Sequence, residues 1–486
     1  MRGRGRVRLV LLATGCAAAL SACATTPVEV AAPTVAVPAD WAQTDVAPIS
    51  TDLTRYWTLL GDPLLTQFVE QAVVGNRDLA VSAARVDQAR ASLVQARAGY
   101  LPAIGATGGI NRDVGSRGRD GVQFQVGADA QWELDLFGRI SGGVAAAQGD
   151  LAASGYSLAD LQRLIVGQVA SATVNARAAA EQLAIARTTL AYQDDNLQIA
   201  RWRNQAGLVS SLDVEQARAQ RAQTAATIPA LESSLTATAN AISTLIGEPP
   251  GRVLEALTTD PAPVPEPPLL AGFEAPAEVL FRRPDVRAAE ANLLASSSRI
   301  GVARAQLLPL ARLSGSIGTG QASLGNVFDF IAGNLFAGVS QLIFDGGRTR
   351  AQVDSAEAAA RGSLAQWEQT ILGALEDVES AAVDQRTADE RVALSEEGVD
   401  AASNSVLLAR SSYEAGLTDF RNLLTSENEL LSARNSLVAA KADRALAFVR
   451  LTQALGGGWD MAAYDYPLPL MARDRRDGDS FDRTAQ

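Results

Sequence analysis

Apolar residues recur every seven places along 285–309. Val286, Leu293, Ile300 and Leu307 take the bulky positions, and Ala289, Ser296 and Ala303 stand three places after the first three. Alternating bulky and small residues at this spacing form the seam of a helix packed coiled-coil fashion on a neighbour. Pro309 ends the pattern, because proline has no N–H to donate and restricts the residue before it. The same order stands 207 places earlier: Leu79, Val86, Leu93 and Tyr100 are bulky, Ser82, Ala89 and Ala96 are small, and Pro102 is the stop. The chain therefore reads as a tandem duplication.

After Pro102 the period falls from seven to two. Val122, Phe124, Val126, Ala128, Ala130 and Trp132 alternate with Gln123, Gln125, Gly127, Asp129 and Gln131. One apolar and one polar face predict a strand with water on one side. Its partner is expected over 101–111, with a charged turn at 112–121. The second copy predicts strands 310–319 and 334–344, less regularly alternating and joined by 321–326. Strands of about ten residues suit a tilted bilayer crossing. Trp132, Phe137 and Phe344 are expected where strands end, as an interfacial aromatic girdle requires.

Two related corners follow the strands, Glu133-Leu134-Asp135-Leu136-Phe137-Gly138-Arg139 and Leu342-Ile343-Phe344-Asp345-Gly346-Gly347-Arg348. Each opens a long helix, 141–205 or 349–415, and some 65 residues at 1.5 Å per residue make about 100 Å. Gly207 and Gly416 stop these helices, and shorter ones return over 209–246 and 418–455. The first repeat thus spans 63–247, with a helix at 64–100 and a hairpin at 101–137. The second spans 273–456, with a helix at 276–307 and a hairpin at 309–345. A Pro-rich linker, 248–272, joins them, and 457–486 is a polar tail. Asp62 is a candidate N-cap, with Pro63 as first helical residue.

The first 22 residues read as an address. Arg2, Arg4, Arg6 and Arg8 precede a short apolar run, and Leu20-Ser21-Ala22-Cys23 has the form of a bacterial lipoprotein box. Cys23 is the expected lipid anchor; Cys16 is the alternative, without the apolar residue that Leu20 supplies. Ala24 follows Cys23, with no aspartate to suggest retention at the inner membrane, so the outer membrane is the expected address. Residues 23–62 would then be a lipid-anchored extended segment.

Composition narrows the function classes. The 486 residues include 47% hydrophobic but only 5% aromatic types, which favours long, close-packed helices over a broad globular core. A net charge of -12 argues against nucleic acid, whose phosphates need a basic surface. With no histidine and two cysteines, the commonest general base is missing and neither a metal site nor a cofactor is expected. The carboxylate pair Glu133 and Asp135 has no partnering base and is assigned to the membrane-interface corner. An enzyme is not supported.

Four strands cannot close a barrel, and a sheet edge facing lipid leaves backbone groups unpaired. Membrane barrels need about eight strands or more, so at least two chains must share one wall. These residues leave dimer, trimer and larger ring open.

Gly61-Asp62-Pro63-Leu64, the corner Glu133 to Arg139, and Arg282-Arg283-Pro284-Asp285-Val286-Arg287-Ala288-Ala289-Glu290 carry a resemblance. With the repeat plan, they make the chain similar to the TolC-like outer-membrane factors, specifically the NodT-like lipoprotein branch serving resistance-nodulation-division pumps. The resemblance implies a mainly α fold with a transmembrane β part: a homotrimer with a shared 12-stranded barrel in the outer membrane and a periplasmic α-barrel of antiparallel helices. It implies a periplasmic adaptor and an inner-membrane pump as partners, and a passive conduit for small molecules as the function. A type I protein secretion channel of the same fold is the alternative. It also places a gate near the two helix turns, over 202–214 and 413–425, with Asp213, Tyr413, Asp419 and Arg421 as candidates. Ordinary solvated turn residues are the plain reading of the same side chains.

Overall fold

The computed structural model describes residues 35–42, 52–113, 121–268, 276–321, 324–326, 328–329 and 331–461. Residues 1–22, expected as an address segment, Cys16, Cys23, most of the expected turn at 112–121 and the stretch beyond 461 lie outside the described residues.

A short 3-10 turn at Tyr56–Leu60 precedes α1 (Pro63–Gly75), whose N-terminus Asp62 caps by accepting from the amides of Leu64 (2.9 Å) and Leu65 (3.2 Å). The helix expected over 64–100 is broken in two, with α2 at Arg77–Ala98. Asn76 makes the break: its Oδ1 accepts from the amides of Asp78 and Leu79, capping α2, while its Nδ2 donates to the carbonyl of Leu245 at 2.8 Å. The second copy breaks at the equivalent place. α6 (Pro276–Arg282) gives way to α7 (Pro284–Ala305) at Arg283, whose guanidinium donates to the carbonyl of Ala454 at 3.1 Å. In both copies the break therefore satisfies a carbonyl at the end of the returning helix, a group left without an intrahelical partner.

The seam residues Leu79, Val86, Leu93, Val286, Leu293 and Ile300 are buried, whereas Tyr100 and Leu307 lie just past the helix ends and are exposed. The hairpins form one antiparallel sheet in the order β1 (Ala103–Asp113), β2 (Gly121–Leu134), β3 (Leu310–Gln321), β4 (Ala332–Ser340). On the apolar face Ala130 stands opposite Ile104, Phe124 opposite Ile110, and Trp132 opposite Leu313. On the other face Gln131 pairs with Ser314, Asp129 with Ser316, and Glu133 with Arg312. β4 departs from the expected 334–344. Its last pair joins Ser340 to Leu310, and Pro309 before it has no N–H to extend the ladder. Residues 341–344 are irregular, and Phe344 is 86% exposed beyond the strand. The second hairpin also breaks the alternation once: Phe336 faces Ser314 on the polar side and lies along Gly338, where a Cβ would meet its ring.

The long helices are α3 (Arg139–Gln205) and α8 (Arg348–Glu414), 67 residues each, and the returning helices are α4 (Ser211–Ile246) and α9 (Phe420–Ala454). α2 and α4 pack on α3 in sequence along its length, and α7 and α9 pack between α3 and α8. The wall is thus four columns wide, two of single long helices and two of shorter helices in line. Where the columns change over, Tyr56, Phe68, Val166, Val174, Ile242 and Phe448 build a buried core. The linker expected over 248–272 holds a helix of its own, α5 (Arg252–Thr259), because Val253 and Leu257 recur at helical spacing and bury against this core.

Candidate functional site

Three clusters of polar side chains stand out along the wall: at the sheet-to-helix corners, at the column changeover and at the far turns.

At the first corner Arg139 donates from Nε and Nη2 to the two oxygens of Glu133, both at 2.6 Å. Asp135 accepts from the amides of Ile140 (2.9 Å) and Ser141 (2.8 Å) at the start of α3, with Gly138 at φ +76°. Burial works against the Asp135 charge, but these amides hold its carboxyl below the usual carboxylate range. The second corner repeats the device: Asp345 accepts from the amides of Gly347 and Thr349. Both carboxylates of the first corner are thus occupied in shaping it. Trp132 lies on the apolar sheet face, its Nε1 donating to the carbonyl of Tyr100 at 3.0 Å. Phe137 differs from a lipid-facing aromatic: it is 8% exposed, turned into the crevice between the corner and the α7–β3 junction.

The changeover holds the conspicuous motifs. Arg177, 1% exposed, donates to both oxygens of Asp62 (2.8 and 3.2 Å) and to the carbonyl of Asp260 at 2.6 Å. The Arg283 guanidinium reaches Asp285 at 2.7 Å and Asp377 at 2.9 Å, tying α7 to α8. Burial disfavours the Asp285 charge, yet Arg283 outweighs it and holds that carboxyl below its ordinary range. Arg287 lies over the rings of Phe281 and Tyr156, donates to the Tyr156 hydroxyl at 3.1 Å, and stands 3.6 Å from buried Glu290. The motif from Arg282 to Glu290 is a clamp that fastens a short column between two long ones.

At the far end both turns use the same cap. Gly207 (φ +72°) and Gly416 (φ +70°) take the left-handed conformation, and the amides of Leu208 and Leu417 reach back to the carbonyls of Arg203 and Ser412, each at 2.8 Å. Asp213 forms a capping box with Ser210, accepting from its amide and hydroxyl at 2.9 Å. Asp419 caps α9 by accepting from the amide of Asn422 at 3.2 Å. Tyr413 is buried against Phe420, ring centroids 5.3 Å apart, in a cluster with Leu197, Ala200, Ala217 and Leu423 that joins the two turns. Burial and the nearby Asp213 charge push the Tyr413 phenol up, against the pull of Arg203. Arg421 is exposed at the start of α9. The structure therefore brings all four candidates to one end, and gives both carboxylates a capping role.

Sequence reasoning missed three residues here. Arg203 stacks 4.7 Å from the Tyr413 ring. Glu427 accepts from Asn196 Nδ2 at 2.8 and 2.9 Å and binds Arg410 at 3.4 Å, joining the two helical hairpins. Arg177 did carry a signal: a lone arginine among alanines, at helical spacing from Val166, Ala170 and Thr173, marks a charge that needs a buried partner.

Residues 68–248 and 275–457 match the family described as outer membrane efflux protein. Nodulation protein T of Rhizobium leguminosarum bv. trifolii is 30% identical over 456 residues, covering 91% of this chain and 96% of that protein. The pyoverdine export outer membrane protein OpmQ of Pseudomonas aeruginosa is 31% identical, covering 90% and 95%. The solved outer-membrane channel OprN is 32% identical with a TM-score of 0.79, covering 89% of this chain and all of that one. The two matched segments correspond to the two copies of hairpin and helices traced above, so the duplication, the open sheet and the four-column wall are those of a family: this chain is an outer membrane efflux protein.

Proposed function

We propose that the chain is the outer-membrane channel of a tripartite efflux system, a passive trans-periplasmic conduit fed by an inner-membrane pump of the resistance-nodulation-division type through a periplasmic adaptor. The observation that carries this is a sheet with one apolar and one polar face and two unpaired edges, continued by helices of 67 residues. Three copies close the sheet into twelve strands and the columns into a second, coaxial tube, lodged in the outer membrane and reaching into the periplasm. Each repeat, 63–247 or 273–456, supplies two strands and two columns. The chain acts as a conduit, with no catalytic step of its own. Pyoverdine export, for which the OpmQ relative is named, favours small organic molecules as cargo.

The gate belongs at the far turns, around Asp213, Tyr413, Asp419 and Arg421, where one charge per chain becomes a ring about the trimer axis. Because both aspartates cap helices, alanine would remove a charge and a cap worth about 1 kcal/mol together. Asparagine keeps an accepting side-chain oxygen at the Asp419 cap and at the Asp213 capping-box position and removes the charge alone. The Asp213→Asn/Asp419→Asn double variant is expected to raise single-channel conductance of purified trimers in planar bilayers. If only the alanine pair does so, fraying of the turns is the cause and the charge ring is not the gate.

Cys23 is assigned as the acylated residue. Cys23→Ala should abolish labelling by a palmitate analogue in cells while leaving trimers in the membrane; labelling that persists would move the anchor to Cys16.

A further inference from the structure

Between α3, α8 and α9, above the far turns, lies a cleft of about 330 Å³. Its floor is apolar, from Val406, Leu407, Leu430 and Leu431. Three features make it more than a gap in helix packing. Arg434 lines it half-buried, its guanidinium paired with none of the described side chains. Arg410 stands at its edge, held among the described residues by the 3.4 Å contact to Glu427. Gln193 lines it at 3% exposure, and its buried carbonyl oxygen accepts no hydrogen bond. A buried acceptor left unmatched costs about 1–3 kcal/mol, so such a group calls for a donor. Glu427 also lines the cleft and offsets Arg410, so the unmatched charge is that of Arg434, one net cation beside an apolar floor in a chain of net charge -12. The lining comes wholly from α9 and the two long helices it packs between, all in one chain, so the cleft does not depend on the seam between copies.

We infer that this cleft binds an amphipathic anion bearing a hydroxyl group: a carboxylate or sulfate head against Arg434 and Arg410, an apolar body over Leu430 and Leu431, and the hydroxyl donating to Gln193. Its size and mixture of apolar wall with few convergent polar groups are those of a small-molecule site. A ligand there touches both long helices and the returning helix α9, and so pins the second helical hairpin against the first. That consequence rests on the gate reading; the binding does not.

The test is calorimetric titration of purified wild-type trimers in amphipol with 12-hydroxydodecanoate. Dodecanoate, lacking the hydroxyl, and (12-hydroxydodecyl)trimethylammonium, reversing the charge, are the comparison probes. Saturable binding of the hydroxy acid is expected, at least tenfold tighter than either comparison probe. Arg434→Gln should weaken it about tenfold, the effect of losing one charge-assisted hydrogen bond, and Gln193→Leu should abolish the preference over dodecanoate. Both variants are to be compared as intact trimers, and Arg218→Gln, on an exposed face of α4, should bind as wild type does. Equal binding of all three probes would mean partition into apolar surface and would overturn the proposal. So would full binding by Arg434→Gln, or no binding at all.

Discussion

Arg177→Ala should leave the protein without stable trimers. The side chain is 1% exposed and its two bonds to Asp62 are made out of water. Removing the arginine strands a buried carboxylate, which costs on the order of 3–5 kcal/mol, a large share of the stability of a folded chain. The loss reaches further than one pair, because Asp62 caps α1 and the Asp260 carbonyl, which ends α5, loses its donor at the same time. The measure is the fraction of heat-resistant trimer after extraction in mild detergent. A control separates charge from shape: Arg177→Met with Asp62→Asn keeps the cap, removes both charges, and should recover most of the trimer, since neutral pairs of similar volume often replace buried ion pairs without loss. A single Arg177→Ala variant as heat-resistant as wild type would mean that the clamp contributes nothing.

Gly75→Ala should be nearly as damaging, by a different route. A Cβ there would stand 2.3 Å from the carbonyl oxygen of Ile246, and that neighbour is backbone, with no flexible side chain to swing aside. Gly247 borders the same contact from the other side: a Cβ there would stand 2.2 Å from the Gly75 carbonyl oxygen, and the residue takes φ +76°. A side chain at either glycine must push α4 away from α1, opening the buried core around Ile242 and Phe68. Overpacking of this kind costs about 1–3 kcal/mol and more where backbone must move. Gly301→Ala is the contrasting case: it lies inside α7 with open space around it, so the gain in helix propensity should stabilise by about 0.5–1 kcal/mol. Melting of the trimer followed by circular dichroism should therefore move down for Gly75→Ala and up for Gly301→Ala.

Periodicity made most of this architecture legible. The change from seven to two at Pro102 and Pro309 located both hairpins, and Gly207 and Gly416 located both turns, because those signals are local and depend on backbone chemistry alone. What stayed hidden needed partners distant in sequence. Pro284, which opens α7 and disfavours a helical Arg283, does mark the second break, but the carbonyls of Leu245 and Ala454 that Asn76 and Arg283 reach lie far off in sequence. A strand over 334–344 would end at Phe344, as an aromatic girdle requires, but the ladder is decided by Pro309 on the other strand. The motif from Arg282 to Glu290 was recognised as a signature, whereas its work as a clamp shows only once Asp377 and Tyr156 stand beside it. At the tip the candidate aspartates were visible, but Arg203 and Glu427, which tie the turns and hairpins together, looked like any charges on a long solvated helix.

The central claim is that one chain owns a third of a closed wall. Native mass spectrometry of the protein released from a gentle detergent measures this directly. The account predicts a single species of three chains, with single chains appearing only once the sheet is unfolded. A folded particle of one chain or two, its strands intact, would contradict it.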